Sequence, residues 1–152
     1  MHIQIRRAEE NDIPVICNII NQLTPGLPHD YRDAVEKFTT HIKHNPDYYL
    51  WVAEVDGQVV GTAMMHLQHK LSYNCGTACH LEDVVVEYTW RGRGIGEALV
   101  EKAIQTAKLH NAYKLMLTCF PKTTVYYEKF GFKQHDIGMK LVLKEEYPNA
   151  TP

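Results

Sequence analysis

The stretch Leu81-Glu82-Asp83-Val84-Val85-Val86-Glu87-Tyr88-Thr89-Trp90-Arg91-Gly92-Arg93-Gly94-Ile95-Gly96 decides how this 152-residue chain is read. Its first half, Leu81 to Tyr88, is β-branched and apolar and predicts a strand. Arg91 to Gly96 then predicts a glycine-rich turn, and Leu99, Val100, Ala103, Ile104 and Ala107 mark one face of a helix lasting to about His110. Gly92, Gly94 and Gly96 remove three Cβ atoms, so the backbone can approach a ligand closely and take positive φ. Amides of a first helical turn have no intrahelical acceptor, and the helix dipole adds partial positive charge there. A phosphate is the natural occupant. Arg91 and Arg93 bring two cations, which suits a doubly charged pyrophosphate better than a carboxylate. Spacing excludes two other phosphate motifs. A Walker A loop needs Gly-Lys-Ser/Thr, but Glu97 follows Gly96. A dinucleotide fingerprint needs a small residue three positions after Gly94, and Glu97 stands there too. The competing reading is a flexible connection that binds nothing; three glycines alternating with two arginines weigh against it.

Outward from this turn, Ile3 to Arg7 alternates with period two and predicts a strand. Asp12-Ile13-Pro14 is a helix-start signal, an N-cap followed by proline, for a helix through Ile16, Ile19, Ile20 and Leu23 that stops at Pro25-Gly26. A second amphipathic helix is expected from about Asp30 to His44, with Tyr31, Val35, Phe38 and Ile42 on one face. Tyr48–Val55 and Gln58–Met65 flank Asp56-Gly57, which predicts an antiparallel hairpin. Ser72 to Cys79 reads as a loop, Tyr113 to Cys119 as a strand, and Thr124 to Phe130 as a short helix closed by Gly131. Met139 to Lys144 reads as a last strand, possible at a sheet edge. The order β-α-α-β-β-β-α-β-α-β gives an α/β (α+β) fold, a mixed sheet flanked by helices, in one domain over residues 1–152.

Apolar residues make up 45% and charged residues 22%, and sixteen Lys and Arg against eighteen Asp and Glu leave a net charge of −2. This near-balance speaks against a nucleic-acid protein, whose affinity would come from a basic surface. The longest apolar run, Tyr48 to Ala53, falls far below the ~20 residues that span a bilayer, and the polar start lacks a signal-peptide core. A cytoplasmic protein with no membrane partner is expected. Cys17, Cys75, Cys79 and Cys119 are too few and too irregular for a disulfide framework. Cys75 and Cys79 lie near His69 and His80, but no second ligand pair follows at finger-like spacing, so free thiols and no metal are expected.

Arg91-Gly92-Arg93-Gly94-Ile95-Gly96 resembles the Arg/Gln-x-x-Gly-x-Gly/Ala signature of the GNAT acyl-CoA N-acyltransferase superfamily, and the element order resembles that family's mostly antiparallel sheet. The resemblance implies acetyl-CoA as co-substrate, with amides of Arg93, Gly94, Ile95 and Gly96 on its pyrophosphate. It also implies that Val84, Val85 and Val86 pair with the pantetheine arm as a peptide strand would. A narrower likeness runs from about residue 20 to 133. Gln22-Leu23-Thr24, Asp47-Tyr48-Tyr49, His69-Lys70, Glu82-Asp83-Val84-Val85-Val86, Ala112-Tyr113-Lys114 and Tyr127-Glu128-Lys129-Phe130-Gly131-Phe132 are similar to the eukaryotic glucosamine 6-phosphate N-acetyltransferases. Thr118 stands where that family carries an acidic residue, and Thr123 where it carries an asparagine.

Amide formation from a thioester needs a neutral amine and a way to stabilise the departing thiolate. Glu82 and Asp83 are the carboxylate candidates for taking the amine's proton. Strand alternation sends them to opposite faces, so only one is expected to reach the cleft directly, and Glu82 is preferred. The resemblance makes Tyr127 the general acid or thiolate stabiliser, while Tyr126 and Phe130 are expected to pack. His69 and Lys70 are the substrate-binding pair for a phosphorylated sugar, with Lys122 as another candidate and a merely solvated Lys70 as the competing reading. The favoured reaction is direct attack by the primary amine of a small-molecule acceptor, such as glucosamine 6-phosphate, in a ternary complex. Acceptors such as a polyamine, an amino acid or a peptide N-terminus stand as the alternative, and a non-catalytic acyl-CoA sensor as the reading from another class. The amino-sugar family forms dimers, so a homodimer is expected.

Overall fold

The computed structural model describes residues 1–23 and 30–143. The helix stop predicted at Pro25-Gly26 and the end of the last strand at Lys144 lie outside them. The chain divides into two compact units, Met1–Met116 and Leu117–Pro152.

The first unit is built on a five-stranded sheet in the order β1-β2-β3-β4-β5. Its strands are β1 Ile3–Arg7, β2 Tyr48–Val55, β3 Gln58–His69, β4 Thr77–Val86 and β5 Lys114–Met116. The first four pair antiparallel, and β5 runs parallel to β4. The β2–β3 hairpin turns on Asp56 and Gly57, both at positive φ as this two-residue turn requires. The mixed, mostly antiparallel sheet expected from the sequence is therefore present. β3 and β4 are longer than predicted at their facing ends, where Gln68 and His69 pair with Ala78 and Thr77. Cross-strand pairing there overrides a polar composition that reads locally as loop. The residue-113-to-119 strand shortens to Lys114–Met116.

Helix α1, Ile13–Ile20, starts on Pro14 as predicted, but Asp12 does not cap it by a side-chain bond. Its carboxylate instead accepts from the Glu9 amide at 2.7 Å and from both terminal nitrogens of Arg6. The 3-10 turn Glu10–Asp12 ahead of the helix explains the difference. Helix α2, Tyr31–Lys37, is capped by Asp30, whose carboxylate accepts from the Arg32 amide at 2.9 Å. It continues as a wider π-turn over Phe38–Ile42, closed by the Lys43 amide on the Phe38 carbonyl. Ile13, Ile16, Cys17, Phe38, Leu50 and Val52 form one buried cluster, with Met64 packed against it. Helix α3, Ile95–Leu109, buries Ile95, Leu99, Val100, Ala103 and Ala107, and packs on β1 to β5. Gly61 allows that contact: a Cβ there would stand 3.2 Å from Ile95 Cγ2 and 3.3 Å from Leu99 Cδ1.

The second unit carries a 3-10 turn, Pro121–Thr123, that runs into helix α4, Thr124–Glu128. Gly131, at φ +93°, ends it as predicted. Residues 139–143 form no strand within this chain, contrary to the sequence reading. Their apolar alternation is real, but Ile137, Met139, Leu141 and Leu143 are each more than four-fifths exposed.

Candidate active site

The turn before α3 is shaped by its glycines. Gly92 and Gly94 take φ of +73° and +80°, and nothing lies within 4 Å of where a Cβ would stand on either. Gly96 lies inside the helix without positive φ, so it contributes only the missing side chain. The first helical bond runs from the Ala98 amide to the Gly94 carbonyl, which leaves the Ile95 and Gly96 amides without an acceptor inside the helix. Arg91 donates from Nε to the Val86 carbonyl at 3.0 Å, and its guanidinium lies 5.4 Å from the Tyr88 ring centre. The Arg93 guanidinium lies 4.8 Å from the centre of Trp90. Both cations are thus folded back over aromatic rings of the same turn, with nitrogens left over for an anion. Gln22, just past α1, clamps the start of this turn. Its amide nitrogen donates to the Glu87 carboxylate, and its oxygen accepts from the Tyr88 amide at 3.0 Å.

β4 leads into this turn with one edge open. β5 pairs with it only from Ala78 to His80, so Leu81 to Val86 are paired on the β3 side alone among the described residues. The open edge contains a bulge. From Thr62 to Met64, β3 advances two residues while its partners on β4, Val85 and Glu82, are three apart. The extra residue falls at Asp83, whose φ is +50°. Strict alternation therefore breaks between Glu82 and Asp83, and the opposite-faces argument does not hold across that point. Burial, and then the charge of Glu82, raises the Asp83 carboxyl above its ordinary value. Glu82 is partly exposed, with Oε1 3.7 Å from His80 Nε2.

Elsewhere in the first unit, His69 is already engaged by its neighbours: Nε2 lies 2.9 Å from Asp47 Oδ1 and Nδ1 lies 3.0 Å from Thr77 Oγ1. Lys70 follows at the end of β3, half-buried, its amide donating to the Gly76 carbonyl. Thiols at Cys17, Cys75, Cys79 and Cys119 are free, and no group of three His, Cys, Asp or Glu among the described residues is arranged to hold a metal. In the second unit, Tyr127 is half-buried against Tyr126 and Phe132 in edge-on contacts, and Tyr126 meets Phe130 likewise. Burial, and then Cys119, raises the Tyr127 hydroxyl above its ordinary value, which keeps it protonated. Lys122 lies over Phe120 at 5.8 Å.

Sequence reasoning missed three features here. The bond from Asp47 to His69 joins residues 22 apart, which no local pattern signals. The bulge could have been suspected, because Asp tolerates the left-handed region better than most residues and interrupts an apolar strand. The row formed by Tyr48, His66 and His80 was not anticipated at all. These residues are register partners across β2, β3 and β4, with ring centres 5.7 and 5.2 Å apart.

An open strand edge, a bulge with two carboxyls and a helix start with free amides are features suited to a ligand with peptide-like and phosphate groups. The acetyltransferase (GNAT) family model matches residues 14–132, and the chain belongs to that family as an acetyl-CoA-dependent N-acetyltransferase. Among curated proteins it is 36% identical over 139 residues to glucosamine 6-phosphate N-acetyltransferase of Arabidopsis thaliana, covering 90% of this chain and 93% of that one. It is 31% identical over 141 residues to glucosamine 6-phosphate N-acetyltransferase 1 of Oryza sativa subsp. japonica, covering 91% and 86%. The crystal structure of the Arabidopsis thaliana enzyme superposes with a TM-score of 0.86 at 28% identity, over 95% of this chain and all of that one.

Proposed function

We propose that this chain transfers the acetyl group of acetyl-CoA to the primary amine of an amino-sugar phosphate, with glucosamine 6-phosphate the favoured acceptor. The observation that carries the chemistry is the open β4 edge, which past the Asp83 bulge ends at Val86 and leads through a 3-10 turn, Tyr88–Trp90, into the Arg91–Gly96 turn. Backbone groups of Val84, Val85 and Val86 suit the pantetheine amides, which pair as a strand does. Amides of Arg93, Gly94, Ile95 and Gly96, with the Arg91 and Arg93 side chains and the space left at Gly92, suit the pyrophosphate. The acceptor assignment rests on the likeness to relatives that are glucosamine 6-phosphate N-acetyltransferases.

Glu82 takes the proton from the acceptor ammonium, freeing the nitrogen lone pair for direct attack on the thioester carbonyl in a ternary complex. Asp83, half-buried at the bulge with its carboxyl raised, is the second carboxyl of the site. Thr118 stands where the similar family carries an acidic residue, a departure that bears on which amine the site accepts and leaves the acyl-transfer chemistry untouched. Tyr127 assists the departing sulfur. A thiol titrates near 8.5 and a tyrosine near 10, so a Tyr127 hydroxyl raised further donates a hydrogen bond to the thiolate and keeps its own proton. Lys70 offers the acceptor phosphate a cation, with His69 held next to it by Asp47 and Thr77.

The chemistry needs no metal. The family match crosses the boundary between the two compact units, which supports one functional domain over residues 1–152. No helix among the described residues is long and apolar enough to cross a membrane, and the net charge of −2 speaks against a nucleic-acid partner; both fit a cytoplasmic enzyme acting on small molecules. The exposed apolar alternation from Ile137 to Leu143 fits a homodimer, a second copy covering what this chain leaves open. The test is CoA release against a panel of amines that includes glucosamine 6-phosphate, polyamines, amino acids and a peptide N-terminus. Preferred turnover of the amino-sugar phosphate supports the reading. Preference for another amine overturns the acceptor, and tight acetyl-CoA binding without turnover of any amine overturns the enzyme.

A further inference from the structure

We infer that His80 is a positioning and relay residue for the acyl transfer, acting through Glu82 and receiving the proton that Glu82 takes from the acceptor amine. The inference rests on the reading of Glu82 as the acceptor-side base.

A carboxylate titrates near 4, far below an alkyl ammonium, so alone it holds a captured proton poorly, and catalysis gains when the final acceptor titrates nearer neutral pH. An imidazole, near 6.5, meets that need. His80 lies two residues before Glu82 on the same strand, upstream of the bulge, so the two share a face of the sheet. Its Nε2 is 3.7 Å from Glu82 Oε1, within ion-pair range but longer than a hydrogen bond, a gap that a small side-chain rotation or one water closes. The groups facing His80 are few. Glu82 and then Asp83 follow on its own strand, His66 faces it from β3 with ring centres 5.2 Å apart, and Tyr48 extends the row from β2. On β5 its register partner is the uncharged Met116. The ring is therefore held at its face by His66 and reaches a carboxylate at its tip.

The transfer moves one proton and no other atom. It leaves the acceptor nitrogen for a Glu82 oxygen, and the resulting carboxyl O–H gives it to His80 Nε2, restoring the carboxylate. His80, partly exposed, releases it to water.

The test uses the full chain and an acceptor that turns over in the panel. His80→Gln is expected to lower kcat at least ~10-fold while the KM values for amine and acetyl-CoA stay unchanged. The acid limb of the wild-type kcat profile, where a protonated His80 no longer accepts, is lost in the variant. A wild-type measurement covers a variant that fails to fold: two acceptors of different amine basicity give the same acid limb. A limb that follows the acceptor's basicity overturns the relay. So does wild-type kcat and pH profile in His80→Gln on a competent acceptor, which leaves the acetyltransferase reading standing. Absence of turnover with every amine overturns both.

Discussion

Replacing Gly61 by alanine presses on a place where the sheet and helix α3 meet without a side chain between them. The added Cβ would sit 3.2 Å from Ile95 Cγ2, 3.3 Å from Leu99 Cδ1 and 3.3 Å from the Val85 carbonyl oxygen. None of these gives way freely. Ile95 and Leu99 are buried, and Val85 is backbone in a paired strand. Overpacking of this kind costs about 1–3 kcal/mol. Loss of glycine's freedom in the unfolded chain offsets about 0.4–1 kcal/mol of that. The net loss expected is about 1–2 kcal/mol, or a Tm lower by roughly 2–8 °C for a domain of this length. Ile95 opens helix α3, so its displacement also moves the amides proposed for the pyrophosphate, and acetyl-CoA affinity should fall with Tm. Calorimetric melting followed by acetyl-CoA titration reads both. Gly57→Asn serves as control, because that position has positive φ and open space, which asparagine accepts. A Gly61→Ala variant as stable as the parent, binding acetyl-CoA equally well, would show that the close approach of β3 and α3 is not constraining.

Three further outcomes follow from the same geometry. Tyr127→Phe should lower turnover at least ~10-fold with acetyl-CoA affinity retained, and an unchanged steady-state kcat would remove Tyr127 from the mechanism. The Arg91→Ala, Arg93→Ala double variant should bind acetyl-CoA more weakly, and more so at low salt than at high; calorimetry returning the parent affinity refutes their role. Asp83→Asn should melt above the parent at neutral pH. The raised carboxyl contributes stability only below its unfolded value and loses it as pH rises through the folded one, a loss that asparagine escapes. The gap should narrow on acidification toward about pH 4, and a gap that widens instead contradicts the raised carboxyl.

Local signals carried most of the architecture. The Asp56-Gly57 turn, Pro14 and Gly131 each act within a few residues, so the hairpin, the start of α1 and the end of α4 were readable. The glycine and arginine pattern from Arg91 to Gly96 was readable for the same reason. What escaped depends on partners far apart in the chain. The extension of β3 and β4 rests on pairing between Gln68 and Ala78, and the role of Asp12 rests on Arg6 from the neighbouring strand. The bulge at Asp83 exists because β3 and β4 fall out of step, which neither strand discloses alone. Residues 139–143 were misread for the opposite reason: alternation records what a segment can bury, and nothing in it says whose surface does the burying.

The short life of the β4–β5 pairing has a thermodynamic side. Three residue pairs hold these parallel strands together before β4 continues alone. A ligand that completes the edge supplies hydrogen bonds that the polypeptide itself lacks, and so acts as a removable piece of the sheet. Saturation at a hundred times Kd would then add about 2.7 kcal/mol to the folded state by mass action. It would also hide an edge that otherwise invites pairing with foreign strands. Co-substrate bound on this edge would thus add to the stability of the folded enzyme as well as feed its reaction.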